Sequence, residues 1–178
     1  MRRSAYFAGG CFWCTEHDLR SLPGVLEVES GYVGEGSTAT YENHNGFREG
    51  VFVLFDDEKT SFKRICQFFL DHIDPTDEGG QFFDRGESYK TAIYFESVAE
   101  KQIAEGLIKE LEDSKLYEKS IKTEVLPFTN FIKAEEYHQR YSEKNPEHYN
   151  AYRRGSGKEV WANKVCEIRE QKKINWKE

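Results

Sequence analysis

Residues 5–14 read Ala5-Tyr6-Phe7-Ala8-Gly9-Gly10-Cys11-Phe12-Trp13-Cys14. Ala5 to Ala8 is a short apolar run, and Gly9-Gly10 breaks it. This predicts a strand, a glycine turn, and then a helix from Phe12 to about Leu22 that Pro23-Gly24 ends. Downstream, Val25, Leu26 and Val28 interleave with Glu27 and Glu29, the pattern of a half-buried strand running toward Tyr32. Residues 34–46 are polar and turn-rich, too long for a tight hairpin, and loops of that length inside compact domains are often functional.

Gly50 to Phe55 predicts a further strand. Phe62, Ile65, Cys66, Phe69 and Ile73 recur at helical spacing, and Asp74-Pro75 stops that helix. Residues 76–89 form a second polar loop, and Thr91 to Phe95 a strand. Ser97 with Glu100 resembles a capping box opening a helix striped with Ile103, Ala104, Leu107, Ile108 and Leu111. Ile121 to Val125 alternates as a strand that Pro127 ends, and Ala134 to Tyr141 is expected to be helical. Strands and helices alternating this way predict an α/β (α+β) two-layer sandwich with a mixed β-sheet. Residues 1–144 are read as the body that carries the chemistry. Residues 145–178 are read as a polar tail wrapping the same domain.

The chain has 178 residues, enough for one domain with a sizeable core. Its net charge of -7 argues against a nucleic-acid binder. Two arginines near the N-terminus lack the apolar stretch of a signal peptide, and no run approaches a membrane span. A cytoplasmic location is therefore expected. In that reducing setting the four cysteines, Cys11, Cys14, Cys66 and Cys166, are not expected to be structural staples.

Cys11 opens a predicted helix directly after two glycines. Free N–H groups and the helix dipole favour a thiolate at such a position, and the thiolate is the nucleophile. Cys14 follows at the C-x-x-C spacing of a reversible disulfide. Zinc is disfavoured because there is no second C-x-x-C to complete four ligands. Cys66 lies on its helix's apolar stripe and reads as core. Cys166 lies in the tail, either incidental or on a mobile segment able to return to Cys11.

The run Gly9-Gly10-Cys11-Phe12-Trp13 resembles the signature of the A-type peptide methionine sulfoxide reductase family. The likeness continues through Leu22-Pro23-Gly24-Val25, Gly31-Tyr32, Ala39-Thr40-Tyr41 and Gly46-Phe47-Arg48-Glu49. It extends through Asp74-Pro75-Thr76, the stretch from Asp84 to Tyr94, and Ala134-Glu135-Glu136-Tyr137-His138-Gln139, covering Ala5 to Asn145 in order. It implies a ferredoxin-like core and reduction of methionine-S-sulfoxide, free or in proteins, to methionine. Methionine oxidation is a lesion that dedicated enzymes reverse.

The resemblance also assigns roles. Cys11 attacks the sulfoxide sulfur and becomes a sulfenic acid. Glu49 matches the acid that protonates the departing oxygen. Its place at the mouth of a strand alone suits a solvated carboxylate, but an inward face would raise its pKa. Tyr41 and Tyr89 match hydroxyl donors to that oxygen, and Asp84 a carboxylate acting through water. Phe12 and Trp13 match walls around the substrate's S-methyl group. Thioredoxin or a glutaredoxin-like dithiol would reduce the resulting disulfide, with no bound cofactor and no metal. The chain departs from the common pattern at Cys14, where glycine is usual, at Phe47, and at Phe82-Phe83. Cys14 and Cys166 both remain open as the resolving thiol.

Two other readings compete. A thiol–disulfide oxidoreductase running on Cys11 and Cys14 would want a βα unit before the motif and a proline near the site. Only ten residues precede Cys11, and no proline lies between Pro23 and Pro75. A zinc-binding module would instead need ligands that the spacing does not supply.

Overall fold

The computed structural model describes residues 1–177. Strand β1 (Arg2–Ala8) leads into helix α1 (Phe12–Arg20), then β2 (Val25–Gly34), β3 (Phe47–Asp56) and α2 (Phe62–Asp71). A two-stranded ribbon of β4 (Gly80–Gln81) and β5 (Asp84–Arg85) follows, and then β6 (Ala92–Phe95) and α3 (Val98–Ser114). The chain continues with β7 (Glu124–Pro127), β8 (Asn130–Lys133), α4 (Tyr141–Lys144), α5 (Pro146–Gly155) and α6 (Lys158–Lys172).

Among the described residues the main sheet has six strands in the order β7-β6-β1-β3-β2-β8. β6 and β7 pair in parallel and the other neighbours antiparallel, which is the expected mixed sheet. The segment β1-α1-β2-β3-α2-β6 has βαββαβ connectivity, with its strands ordered β6-β1-β3-β2.

Alternation along each strand sorts side chains between two faces. Ala5, Phe7, Val51, Val53 and Phe55 face one side and join Leu19, Ile65, Phe69, Leu70 and Leu107 from the helices in the main core. On the other face Tyr6 stacks on Phe128 at 3.8 Å between ring centroids, with Phe52 and Phe131 beside it. Helices therefore cover one side, and an aromatic patch partly covers the other.

Several sequence expectations are corrected. Ile121 to Thr123 does not join the sheet: the Lys122 and Thr123 N–H groups both donate to the Pro75 carbonyl, at 2.6 and 3.2 Å. The ladder starts at Glu124 and includes Pro127, tolerated because β7 is an edge strand. Residues 134–141 are not one helix. Tertiary polar contacts override local propensity there: Gln139 bonds both the N–H and the carbonyl of Ser30 at 2.9 Å, and Arg140 takes a left-handed φ of 53°. The Glu100 carboxylate accepts from Glu96 N–H at 2.9 Å, one residue short of the N-cap Ser97, so only half of the capping box forms.

The segment after Asn145 is ordered into α5 and α6 rather than a mobile tail. α6 runs across the ends of α1 and α2. Lys158 pairs with Asp18 at 3.1 Å, Trp161 donates to the Ile73 carbonyl at 3.3 Å, and Arg169 pairs with Asp71 at 2.7 Å.

Candidate active site

β1 delivers the chain to Gly9-Gly10, and α1 starts at once. Gly10 has a φ of +81°, in the left-handed region that favours glycine, and a Cβ there would stand 2.6 Å from the Gln81 Cβ. Gln81 cannot give way easily: its side chain accepts from the Asp74 N–H at 2.8 Å and donates to the Asp74 carbonyl at 2.7 Å. The turn that presents Cys11 is thus pinned to the second polar loop.

Cys11 is the N-cap of α1 and is half-buried, but its sulfur caps no backbone N–H. The Phe12 N–H at the helix start donates instead to Glu49 Oε1 at 3.4 Å. Glu49 comes from β3, where it sits opposite Tyr32. Its face is the inward one: Glu49 is 1% exposed, and its second oxygen has no hydrogen-bond partner. Burial pushes its carboxyl up to about 8 against the lowering effect of the Phe12 N–H and the Tyr89 hydroxyl, so it is protonated at neutrality. A solvated strand-end carboxylate is excluded.

The thiol expectation is corrected in one respect. Burial pushes the Cys11 thiol up, and its hydrogen bond to Cys14 and the carboxyl groups of Glu49 and Asp84 add to the rise. Cys14 moves the other way. The Cys11 thiol donates to it, and against its burial the Lys158 ammonium and the Tyr149 hydroxyl also favour its anion. The helix opening does not by itself ionise Cys11, because its first N–H is engaged by Glu49.

Tyr41, Tyr89 and Asp84 converge on the same place. Burial and then the Glu49 carboxyl raise Tyr41, to about 12, and Tyr89 also above its ordinary range, so both hydroxyls stay protonated. The Tyr89 hydroxyl and the Glu49 carboxyl act on each other. Asp84, half-buried in the ribbon, accepts from the Tyr152 hydroxyl. The Phe12 ring is fully buried, with its centroid 5.0 Å from His138 and 6.3 Å from Tyr41. Trp13 stacks on Tyr141 at 3.9 Å and meets Tyr152 edge-on. Cys166 is exposed on α6, whose neighbouring Val165 is buried in the core.

Three contributors had no role in the sequence reading. Glu135 accepts from the Tyr32 hydroxyl at 2.8 Å and the Tyr41 N–H at 3.1 Å, clamping the first polar loop. His138 accepts from the Trp13 indole at 3.1 Å, and burial keeps its ring neutral. Both lie in the Ala134–Gln139 motif, so a signal existed. Tyr152 sits in a polar segment with no pattern to mark it. Among the described residues, no three or more His, Cys, Asp or Glu side chains are grouped to hold a metal ion.

A family model described as peptide methionine sulfoxide reductase matches residues 3–170. The chain belongs to that family. It is 45% identical over 163 residues to a Bacillus licheniformis protein named peptide methionine sulfoxide reductase MsrA, covering 89% of this chain and 90% of the relative. It is 43% identical to MsrA 2 of Staphylococcus aureus, covering 88% and 92%. Among solved structures it is similar to Mxr1 of Saccharomyces cerevisiae in reduced form. There the TM-score is 0.76 and the identity 28%, with 82% of this chain and 87% of that one covered. It is also similar to methionine sulfoxide reductase A of Corynebacterium diphtheriae, with a TM-score of 0.71 and 28% identity over 82% and 76% of the chains. The reductase is an oxidoreductase that reduces methionine sulfoxide to methionine. The thiol–disulfide oxidoreductase reading falls away.

Proposed function

We propose that this reductase acts on the S-epimer of methionine sulfoxide, free or in damaged proteins, with Cys11 as nucleophile and Glu49 as acid. The observation that carries the reading is the protonated, buried Glu49 carboxyl placed against the turn that holds Cys11. Cys11 attacks the sulfoxide sulfur as its proton passes to the Cys14 sulfur it already bonds. Glu49 protonates the oxygen, which Tyr41 and Tyr89 hold by hydrogen bonds and Asp84 through water. The oxygen then passes to Cys11: the substrate's S–O bond and the bond between the two sulfurs break, a Cys11 S–O bond forms, and methionine leaves a sulfenic acid behind. Phe12 and Trp13 receive the substrate's S-methyl group, worth on the order of 1 kcal/mol.

Cys14 then condenses with the sulfenic acid. The S–S bond forms, the S–O bond breaks, and the Cys14 proton leaves with the hydroxyl as water. Its place one helical turn from Cys11 favours it over Cys166, which is exposed on an anchored helix. A dithiol such as thioredoxin, or a glutaredoxin-like protein, reduces the bridge, so thiols supply both electrons and no bound cofactor or metal takes part. Residues 1–144 act as the catalytic body and residues 145–178 as a C-terminal segment of the same domain. The reducing setting this cycle needs is the cytoplasm; among the described residues no helix is long and apolar enough to cross a membrane.

An epimer-resolved assay with intact-mass tracking of the cysteines tests the reading. One equivalent of methionine from the S-epimer, followed by a Cys11–Cys14 bridge, is expected. Inertness toward both epimers with ample dithiol would overturn it, and a Cys11–Cys166 bridge would reassign the resolving thiol.

A further inference from the structure

Behind Cys14 lies a buried ionic cluster that the reaction as described does not use. Lys158, the first residue of α6, is 4% exposed. Its ammonium lies 3.1 Å from Asp18 Oδ2, and the Arg153 guanidinium lies 3.0 Å from Asp18 Oδ1. Arg153 also donates to the Tyr149 hydroxyl at 2.9 Å, and that hydroxyl is among the groups that favour the Cys14 anion. Asp18, Tyr149 and Cys14 are themselves buried. Burying a lysine is costly unless its charge is matched. Here two cations face one carboxylate, which leaves one positive charge over. Cys14 lies one turn before Asp18 on the same buried side of α1, and its anion would bring the local charge to zero.

We propose that Lys158 is a positioning residue for the second half of the cycle: its ammonium is the counter-charge of the Cys14 sulfur as that sulfur attacks the oxidised Cys11. The inference rests on Cys14 being the resolving thiol. Charge falls on Cys14 from every side that packs against it. Cys11 at the N-cap, Tyr149 of α5 and Lys158 of α6 favour its anion, Arg153 of α5 is drawn to it, Asp18 of α1 opposes it, and Tyr152 of α5 feels both cysteines. His72, the C-cap of α2, acts on Asp18. α5 and α6 thus contribute a cation to the chemistry of α1.

The step is the condensation already written, in which the Cys14 anion forms the S–S bond and hydroxide departs as the S–O bond breaks. Lys158 changes how much of Cys14 is anionic at a given pH, and hence the rate of that step.

The test follows sulfenic acid decay after one turnover of methionine sulfoxide, by rapid quench with a cyclic 1,3-dione trap, across a pH series. Lys158→Met is expected to move the closure profile up by about one unit, which slows closure by up to about tenfold on its acid side, the equivalence of one pKa unit and a factor of ten. Lys158→Arg should restore most of the rate. Asp18→Asn, which removes the repelling carboxylate, should move the profile the opposite way. Those opposite signs are a readout that loosened packing would not produce, and Asp18→Asn decides the matter should Lys158→Met fail to fold.

Profiles of both charge variants coinciding with the parent's would overturn the proposal. Normal closure in Cys14→Ser would instead overturn the assignment of the resolving thiol, so the two failures are distinguishable.

Discussion

Cys11 and Cys14 stand three residues apart at the opening of α1, yet they lie in opposite electrical surroundings. Around Cys11 are the Glu49 and Asp84 carboxyls and the phenols of Tyr41 and Tyr152, with no cation among the groups that perturb it. Around Cys14 are Lys158, Arg153 and the Tyr149 hydroxyl. One side is built to deliver a proton to an oxygen, the other to hold a negative sulfur. A single turn of helix therefore separates two half-reactions with contrary needs, and the difference comes from which elements close over each residue. β3 and the two polar loops cover Cys11, whereas α5 and α6 cover Cys14.

The largest test of that division removes one sulfur at a time. Cys11→Ser should give no methionine at all, read by amino-acid analysis, because no other thiol faces the acid. Cys14→Ser should give one equivalent per chain and then stall with Cys11 oxidised.

Next comes the acid. Glu49→Gln should slow the first turnover by about 10²–10⁴-fold, the usual worth of a positioned proton donor. The same substitution should stabilise the fold. The carboxyl is raised from 4.5 to about 8, so within that window the unfolded chain releases the proton while the folded chain keeps it. Stability contributed by this site therefore falls as pH rises through the window. Replacing the group recovers that loss above it, by on the order of a few kcal/mol, and recovers none at a pH well below 4.5. Urea titrations at both extremes check the sign. A smaller effect is expected from pH on the parent chain: single-turnover rates should fall as pH rises through about 8, where Glu49 loses its proton, and Glu49→Gln should lack that limb. The smallest is structural. Gly10→Ala should cost about 1–3 kcal/mol in the same titrations, from a left-handed backbone and a clash with Gln81.

Much of this was legible in the sequence where local signals and tertiary structure agree. Gly9-Gly10, Pro23-Gly24 and Asp74-Pro75 punctuate the elements, and the Phe62–Ile73 stripe sits on α2. Legibility failed where side chains from distant segments satisfy the backbone. Residues 134–141 look helical until Ser30, Glu16 and Tyr41 take their hydrogen bonds, and no periodicity reports such partners. At the site, the nucleophile's place was readable from the glycine turn. The inward face of Glu49 was not, because β3 extends back to Phe47 and encloses a residue that seemed to lie at a strand's mouth. Lys158 and Tyr152 were invisible because their segment is polar and unpatterned, and their partners lie more than sixty residues away.

The unequal exposure of the two cysteines bears on how the bridge is reopened. Cys14 is 3% exposed beneath α5 and α6, whereas Cys11 is half-open to solvent. In the proposed cycle an incoming dithiol meets Cys11 first, so the transient mixed disulfide would form there with Cys14 as the leaving group. Leaving thiols of low basicity depart fastest, and the ammonium beneath Cys14 makes it such a thiol.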